Sequence, residues 1–219
     1  MDARTDSGRW LTDGAVHTDG RGAGSGGTLV GVTTTDGVLL VADFRTSRGT
    51  TVAGTVRKIE PVGSTTVLGS TDDLGTVQSF VRAVRFEANR YETDRGEPMP
   101  LQTLGTAASE ALRDEPDPTA TFVLGGVDGE GPHVFTIDPD GGLLEDSYVA
   151  AGTGREMAYG VLDAEVTELL TMAEARQIAG NALEVATERD ALTGIEFQAA
   201  EITSEGVDIC RYESLDEFQ

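Results

Sequence analysis

The sequence has little of what metal, redox and nucleic-acid chemistry draw on. Cysteine occurs once, at Cys210, and histidine twice, at His17 and His133. A single thiol cannot close an intrachain disulfide, so the fold does not depend on an oxidising compartment, and Cys210 is expected to be buried and inert. Neither histidine has a second histidine or a cysteine at ligand spacing, so no transition metal and no cofactor is expected. Aromatic residues make up only 5% of the chain, which leaves the core to Val, Leu, Ile and Ala. No apolar run approaches the roughly 18 to 20 residues of a membrane span. The first residues, interrupted by Asp2, Asp6, Arg9 and Asp13, lack the continuous apolar region of a secretion signal. A cytoplasmic protein is expected.

Lysine is the sharpest scarcity. Fifteen of the 16 basic residues are Arg and one is Lys58, although lysine is normally among the commonest residues. Composition alone attributes this to chance and a salt-adapted usage; the functional alternative is a position whose chemistry needs an ammonium that a guanidinium cannot supply. Against those 16 cations stand 38 Asp and Glu, a formal charge of -22. Such a surface repels nucleic acid phosphates and anionic membranes, so neither is an expected partner. The acidic residues are spread along the chain rather than gathered in one arm, the pattern of a folded protein with an acidic surface suited to a salt-rich cytoplasm. At 219 residues and 38% hydrophobic content the chain is sized for one domain.

Residues 1 to 27 hold seven glycines and few apolar positions, and read as a leader. They lack the preceding strand and following helix that a phosphate-binding loop needs. From Thr28 the pattern turns to strands. Residues 29–32 and 37–42 read as a hairpin about Thr35-Asp36-Gly37, and 51–61 and 64–69 as two further strands. Apolar residues from Leu74 to Tyr91 and from Leu101 to Leu112 follow helical spacing. Strands are expected at 119–125, 132–137 and 143–149, helices at 157–169 and 172–186, and strands at 197–203 and 207–212, before an acidic tail from residue 213. Thr171 and Glu174 read as a capping box. Each sheet must cover both faces, and the block order of strands, two helices, strands, two helices, strands does so most simply as a four-layer α/β/β/α sandwich of two antiparallel sheets flanked by helix pairs.

Several segments, in this order and spacing, resemble the β subunits of archaeal 20S proteasomes, which are N-terminal nucleophile hydrolases. They include Gly26-Gly-Thr-Leu-Val-Gly-Val32, Asp36 to Arg45, Val56-Arg-Lys-Ile59, Leu124-Gly-Gly-Val-Asp128, Pro132 to Pro139, Gly152-Thr-Gly154 with Tyr159-Gly-Val-Leu162, and Glu188-Arg-Asp190 with Thr193-Gly194. The resemblance spans about Gly27 to Tyr212. It implies a leader that is removed to expose a threonine, whose hydroxyl attacks the peptide carbonyl while its own amine acts as base. It also implies a lysine that tunes the site, an acid that holds the lysine, a glycine N–H for the oxyanion, and a second acid with two hydroxyls. By local sequence, Lys58 matches the lysine, Asp43 its acid, Gly69 the oxyanion glycine, Asp190 the second acid, and Thr153 and Thr193 the hydroxyls.

Two placements of the nucleophile remain open. The family reads Gly-Thr-Thr-Thr-Val-Gly, whereas this chain reads Gly26-Gly-Thr-Leu-Val-Gly31. Aligned without a gap, Gly27 takes the threonine's place, Thr28 points away from the cleft, and the subunit is noncatalytic. Aligned with a one-residue gap, cleavage falls between Gly27 and Thr28, and Thr28 is the nucleophile of a threonine endopeptidase that degrades unfolded polypeptides. Retention of Asp43, Lys58, Asp190 and the two hydroxyls tips the reading toward the second. The resemblance implies α subunits and other β subunits in stacked rings as partners; a different, smaller N-terminal nucleophile amidase is the remaining alternative. Without the resemblance, Asp43 and Lys58 would read as a buried ion pair, Thr153 and Thr193 as turn hydroxyls, and Glu87, Glu92 and Glu97 as solvated carboxylates.

Overall fold

A computed structural model describes residues 26–48, 51–114 and 119–218. Strands β1 (Thr28–Thr33) and β2 (Gly37–Asp43) form the expected hairpin, whose turn is tied by Thr34 Oγ1, accepting from the Gly37 N–H at 3.0 Å. Strand β3 (Arg45–Arg48) follows, then β4 (Thr51–Thr55), β5 (Ile59–Pro61) and β6 (Thr66–Gly69). Helices α1 (Leu74–Arg95) and α2 (Leu101–Arg113) precede β7 (Phe122–Asp128), β8 (Gly131–Ile137), β9 (Leu143–Asp146) and β10 (Tyr148–Gly152). Helices α3 (Arg155–Glu165) and α4 (Met172–Arg189) precede β11 (Phe197–Thr203) and β12 (Gly206–Tyr212).

Two five-stranded antiparallel sheets result, in the orders β10-β1-β2-β11-β12 and β5-β6-β7-β8-β9. Strand periodicity explains how they stack. On β2, Val38, Leu40 and Ala42 face the second sheet, joining Val67, Val123 and Val134 in the central core. The alternate residues Leu39 and Val41 face α3 and α4, against Ala179, Ala182 and Leu183. The second sheet turns Leu68, Phe122, Leu124 and Phe135 outward onto Val77, Phe80 and Val81 of α1 and Leu101, Leu104 and Leu112 of α2. The four-layer α/β/β/α sandwich expected from the block order is the architecture observed.

Five local expectations change. The strand expected over 51–61 is broken: β4 leaves to pair with β3 in a separate two-stranded sheet, and only β5 joins the second sheet. The strand expected over 143–149 is two, because the chain crosses at Ser147 from the edge of one sheet to the edge of the other. Helix α3 stops at Glu165, where Val166 turns to an extended conformation, and Leu169 is left exposed. Cys210 is exposed rather than buried, since β12 is an edge strand. The capping box of Thr171 and Glu174 is present on α4. The final residues are not merely an acidic tail: Phe218 is buried against Phe197 and Tyr212. Residues 1–25, most of the expected leader and His17 included, lie outside the described residues. Among the described residues, no helix is long and apolar enough to cross a membrane and no cluster suits a metal ion.

Candidate functional site

The site forms where the first strand enters between the sheets. Asp43 closes β2 and is fully buried, and a buried carboxylate must find donors for both oxygens. Its Oδ1 accepts from the Thr28 N–H and from Lys58 Nζ, each at 2.7 Å. Its Oδ2 accepts from the Arg45 N–H at 2.8 Å and the Gly194 N–H at 2.9 Å. One side chain thereby ties the start of β1, the entry to β5, the turn after β2 and the loop before β11.

Lys58 sits between β4 and β5 in the break that sequence periodicity did not anticipate. It is 3% exposed and donates to the Gly26 carbonyl at 2.9 Å as well as to Asp43. Burial holds its pKa below the ordinary ammonium value, against the opposing pull of Asp43.

A second cluster converges on Asp190, the residue that ends α4. Its Oδ1 accepts from the Leu192 N–H at 3.1 Å, a local turn that sets the side chain's direction. Its Oδ2 accepts from the Thr153 hydroxyl at 2.5 Å and from the Thr193 hydroxyl at 2.6 Å. Thr153 lies just beyond β10, where its hydroxyl meets the Gly27 N–H at 3.1 Å and its own N–H donates to the Gly27 carbonyl at 2.9 Å. Thr193 Oγ1 lies 2.8 Å from Thr28 Oγ1. Asp43, Lys58, Thr153, Asp190 and Thr193, named from sequence alone, thus meet around the peptide Gly26-Gly27-Thr28.

The two glycine-flanked alternatives occupy different faces of β1. Leu29 belongs to the core between the sheets and Val30 to the core under α4. Alternation puts Gly27 on the inner face with Leu29 and Thr28 on the outer face with Val30. The contacts agree: a Cβ built on Gly27 would overlap Lys58 Nζ and Asp43 Oδ1, whereas Thr28 Oγ1 lies at Gly154 and Thr193. Thr28 is fully buried. Gly27 has φ 98°, a conformation that a β-branched residue adopts only under strain.

Gly69 ends β6 opposite Ile59 and Val123 in its ladders. A Cβ there would collide with Leu29 Cδ1, so the absence of a side chain has a packing cause at this position. Three participants were not named from sequence. Arg45 donates to the Ala191 carbonyl at 3.0 Å and the Thr193 carbonyl at 2.8 Å, pinning the loop that carries the Asp190 cluster. The Thr71 carbonyl accepts from the Gly26 N–H at 2.9 Å, and the Gly194 N–H holds Asp43. Two of these three act through backbone groups, which leave no signature in residue type.

Comparison with known proteins finds chains similar to this one over most of its length. The sequence profile described as "Proteasome subunit" matches residues 24–202. The chain is 42% identical over 197 residues to proteasome subunit beta 2 of Haloterrigena turkmenica, covering 88% of this chain and 82% of that one. It is 42% identical over 194 residues to proteasome subunit beta of Halobacterium salinarum, covering 88% and 80%. With proteasome subunit beta 1 of Haloarcula marismortui it shares 38% identity over 191 residues, covering 86% and 80%.

Proposed function

From the premise that this chain belongs to the proteasome subunit family, we propose that it is a β-type subunit that builds the core particle without cutting peptide bonds. The observation that carries the reading is the side of β1 on which each residue stands. Gly27 faces Lys58 and Asp43, where the family's chemistry needs a hydroxyl, and glycine offers none. Thr28, the nearest hydroxyl, is buried on the opposite face against Thr193. The retained acid and lysine then serve the structure: Asp43 gathers four donors, and Lys58 neutralises its buried charge. Gly26 and Gly27, each bonded through N–H and carbonyl to surrounding residues, fill the position that a processed chain would leave open. In this reading the leader stays attached, and the subunit takes its place beside α and other β subunits in the cytoplasm.

A second reading, threonine endopeptidase with Thr28 as nucleophile, is favoured by one specific arrangement. The Thr28 hydroxyl is linked through Thr193 to the Asp190 carboxylate, while the Gly27 carbonyl accepts the Thr153 N–H. That is a proton path from the hydroxyl and a donor on the adjoining carbonyl, the two needs of cleavage between Gly27 and Thr28.

The deciding experiment is the intact mass and N-terminal residue of the chain after assembly with its partner subunits in concentrated salt. The proposal expects an N-terminus upstream of Gly27 and no covalent adduct with a threonine-directed inhibitor. A chain beginning at Thr28 would overturn it in favour of the peptidase.

A further inference from the structure

A cleft of about 300 Å³ lies between the last turns of α4 and the final turn, Leu215–Glu217. Leu183, Ile195 and Leu215 give it an apolar lining, and Glu184, Glu188 and Asp216 an acidic one. No Lys, Arg or His lines it, and none of those three carboxylates forms an ion pair among the described residues. That volume is at the small end of ligand-sized sites. It suits one or two side chains rather than a folded partner.

Ile195 is 63% exposed. A single exposed apolar side chain needs no explanation, but the place of this one does. The cleft adjoins the point where the leader joins the folded body. Gly26, the first described residue, stands so close to Leu192 that a Cβ on it would lie 3.2 Å from that side chain. The loop from Leu192 to Ile195 is tied to α4 by the Thr187 hydroxyl, which donates to the Gly194 carbonyl at 3.1 Å. The leader therefore joins beside the loop that carries Ile195 into the cleft.

The leader is poor in apolar residues, yet its two largest stand together in Arg9-Trp10-Leu11, and Trp10 is the only tryptophan of the chain. The sixteen residues from Trp10 to Ser25 reach on the order of 50 Å when extended. That is ample to return Trp10 to a cleft one loop away. The tether also holds it there at an effective concentration on the order of a millimolar, so even a weak contact stays occupied.

We propose that Arg9-Trp10-Leu11 of the leader docks in this cleft, the indole and the leucine against Leu183, Ile195 and Leu215 and the guanidinium among Glu184, Glu188 and Asp216. Trp10 supplies the apolar area. Arg9 supplies a cation to a lining that has none, in a chain whose 38 carboxylates outnumber its 16 cations. The leader is then held at both ends, at Gly26 by Thr71 and Lys58 and at Trp10 by the cleft. The inference rests on the reading above in taking the leader to stay attached, and it gives the retained leader a place on the subunit.

Trp10 is its own probe. In the full chain, alone in molar salt and with its mass confirming an intact leader, tryptophan emission is expected to lie to the blue of that of a peptide of residues 1–25, and acrylamide quenching to be at least threefold weaker. Ile195→Glu is expected to return both to the peptide's values without changing the melting temperature, since that side chain is mostly exposed. Benzoylphenylalanine in place of Trp10 is expected to crosslink within one chain to residues 183–188, 195 or 214–216, and this measurement decides alone if Ile195→Glu lowers the melting temperature. Emission and quenching equal to the peptide's, values that Ile195→Glu leaves unaltered in a stable chain, no crosslink, or a crosslink elsewhere or to a second copy would each overturn the proposal. If the leader docks in the free chain but is missing by mass from the assembled particle, the noncatalytic reading falls and the docking stands.

Discussion

At the residue scale, Asp43 and Lys58 form a pair with almost no access to water. Removing one partner leaves the other charge buried and uncompensated. Lys58→Met is therefore expected to cost about 3–5 kcal/mol of stability, read from the denaturant midpoint in concentrated salt. Adding Asp43→Asn should recover part of that loss, because the surviving charge goes with it. A double variant as unstable as the sum of the two single variants would mean that the pair is not coupled. Because the folded pKa of Lys58 lies below the unfolded value, the unfolded chain binds more protons between the two. Stability from this group accordingly rises with pH across that window, and the rise should vanish in Lys58→Met. At Gly27, a Cβ meets Lys58 and the backbone holds a positive φ, so Gly27→Ala is expected to destabilise by about 1–3 kcal/mol. An unchanged midpoint would show that this backbone relaxes freely.

At the scale of elements, the start of α4 is legible in the sequence because its capping box of Thr171 and Glu174 is local, whereas α2 and α3 begin without a side-chain cap. Asp73 accepts the Thr76 N–H at 3.1 Å at the start of α1, and Asp73→Ala is expected to lower stability by about 1 kcal/mol, measurable by thermal unfolding. On α4, Glu174 receives the Thr171 N–H and hydroxyl, which hold its pKa below the ordinary carboxylate value. Its folded pKa being depressed, the cap's contribution is present above the unfolded value and is lost as pH falls through the folded one. Glu174→Gln should flatten the acid limb of the stability curve; an unaltered limb would count against the cap's role. Strand ends were less legible. The run from Thr51 to Pro61 reads as one strand in the sequence, yet it divides around Arg57 and Lys58 because β4 is recruited by β3 while β5 pairs with β6. Pairing partners distant in sequence decide such breaks, and β-propensity does not contain them.

At the scale of the whole molecule, a charge of -22 makes like-charged subunits repel unless salt screens them. Light scattering is expected to find a large particle in molar salt and free subunits in dilute buffer; intact particles in dilute buffer would contradict this. The sequence by itself determined the four layers, since alternating and helical apolar periods dictate which faces need covering. It also singled out, through the resemblance of their local segments, Asp43, Lys58, Thr153, Asp190 and Thr193, which the fold gathers around Gly26-Gly27-Thr28. It left the first strand open between two alignments, and it missed Arg45, Thr71 and Gly194, whose contributions are a loop clamp and two backbone groups. Only the tertiary structure decided which way Gly27 and Thr28 face. Their orientation depends on the register of β1 between β10 and β2, where one residue of slip exchanges the two faces, and register is set by strands that lie far along the chain.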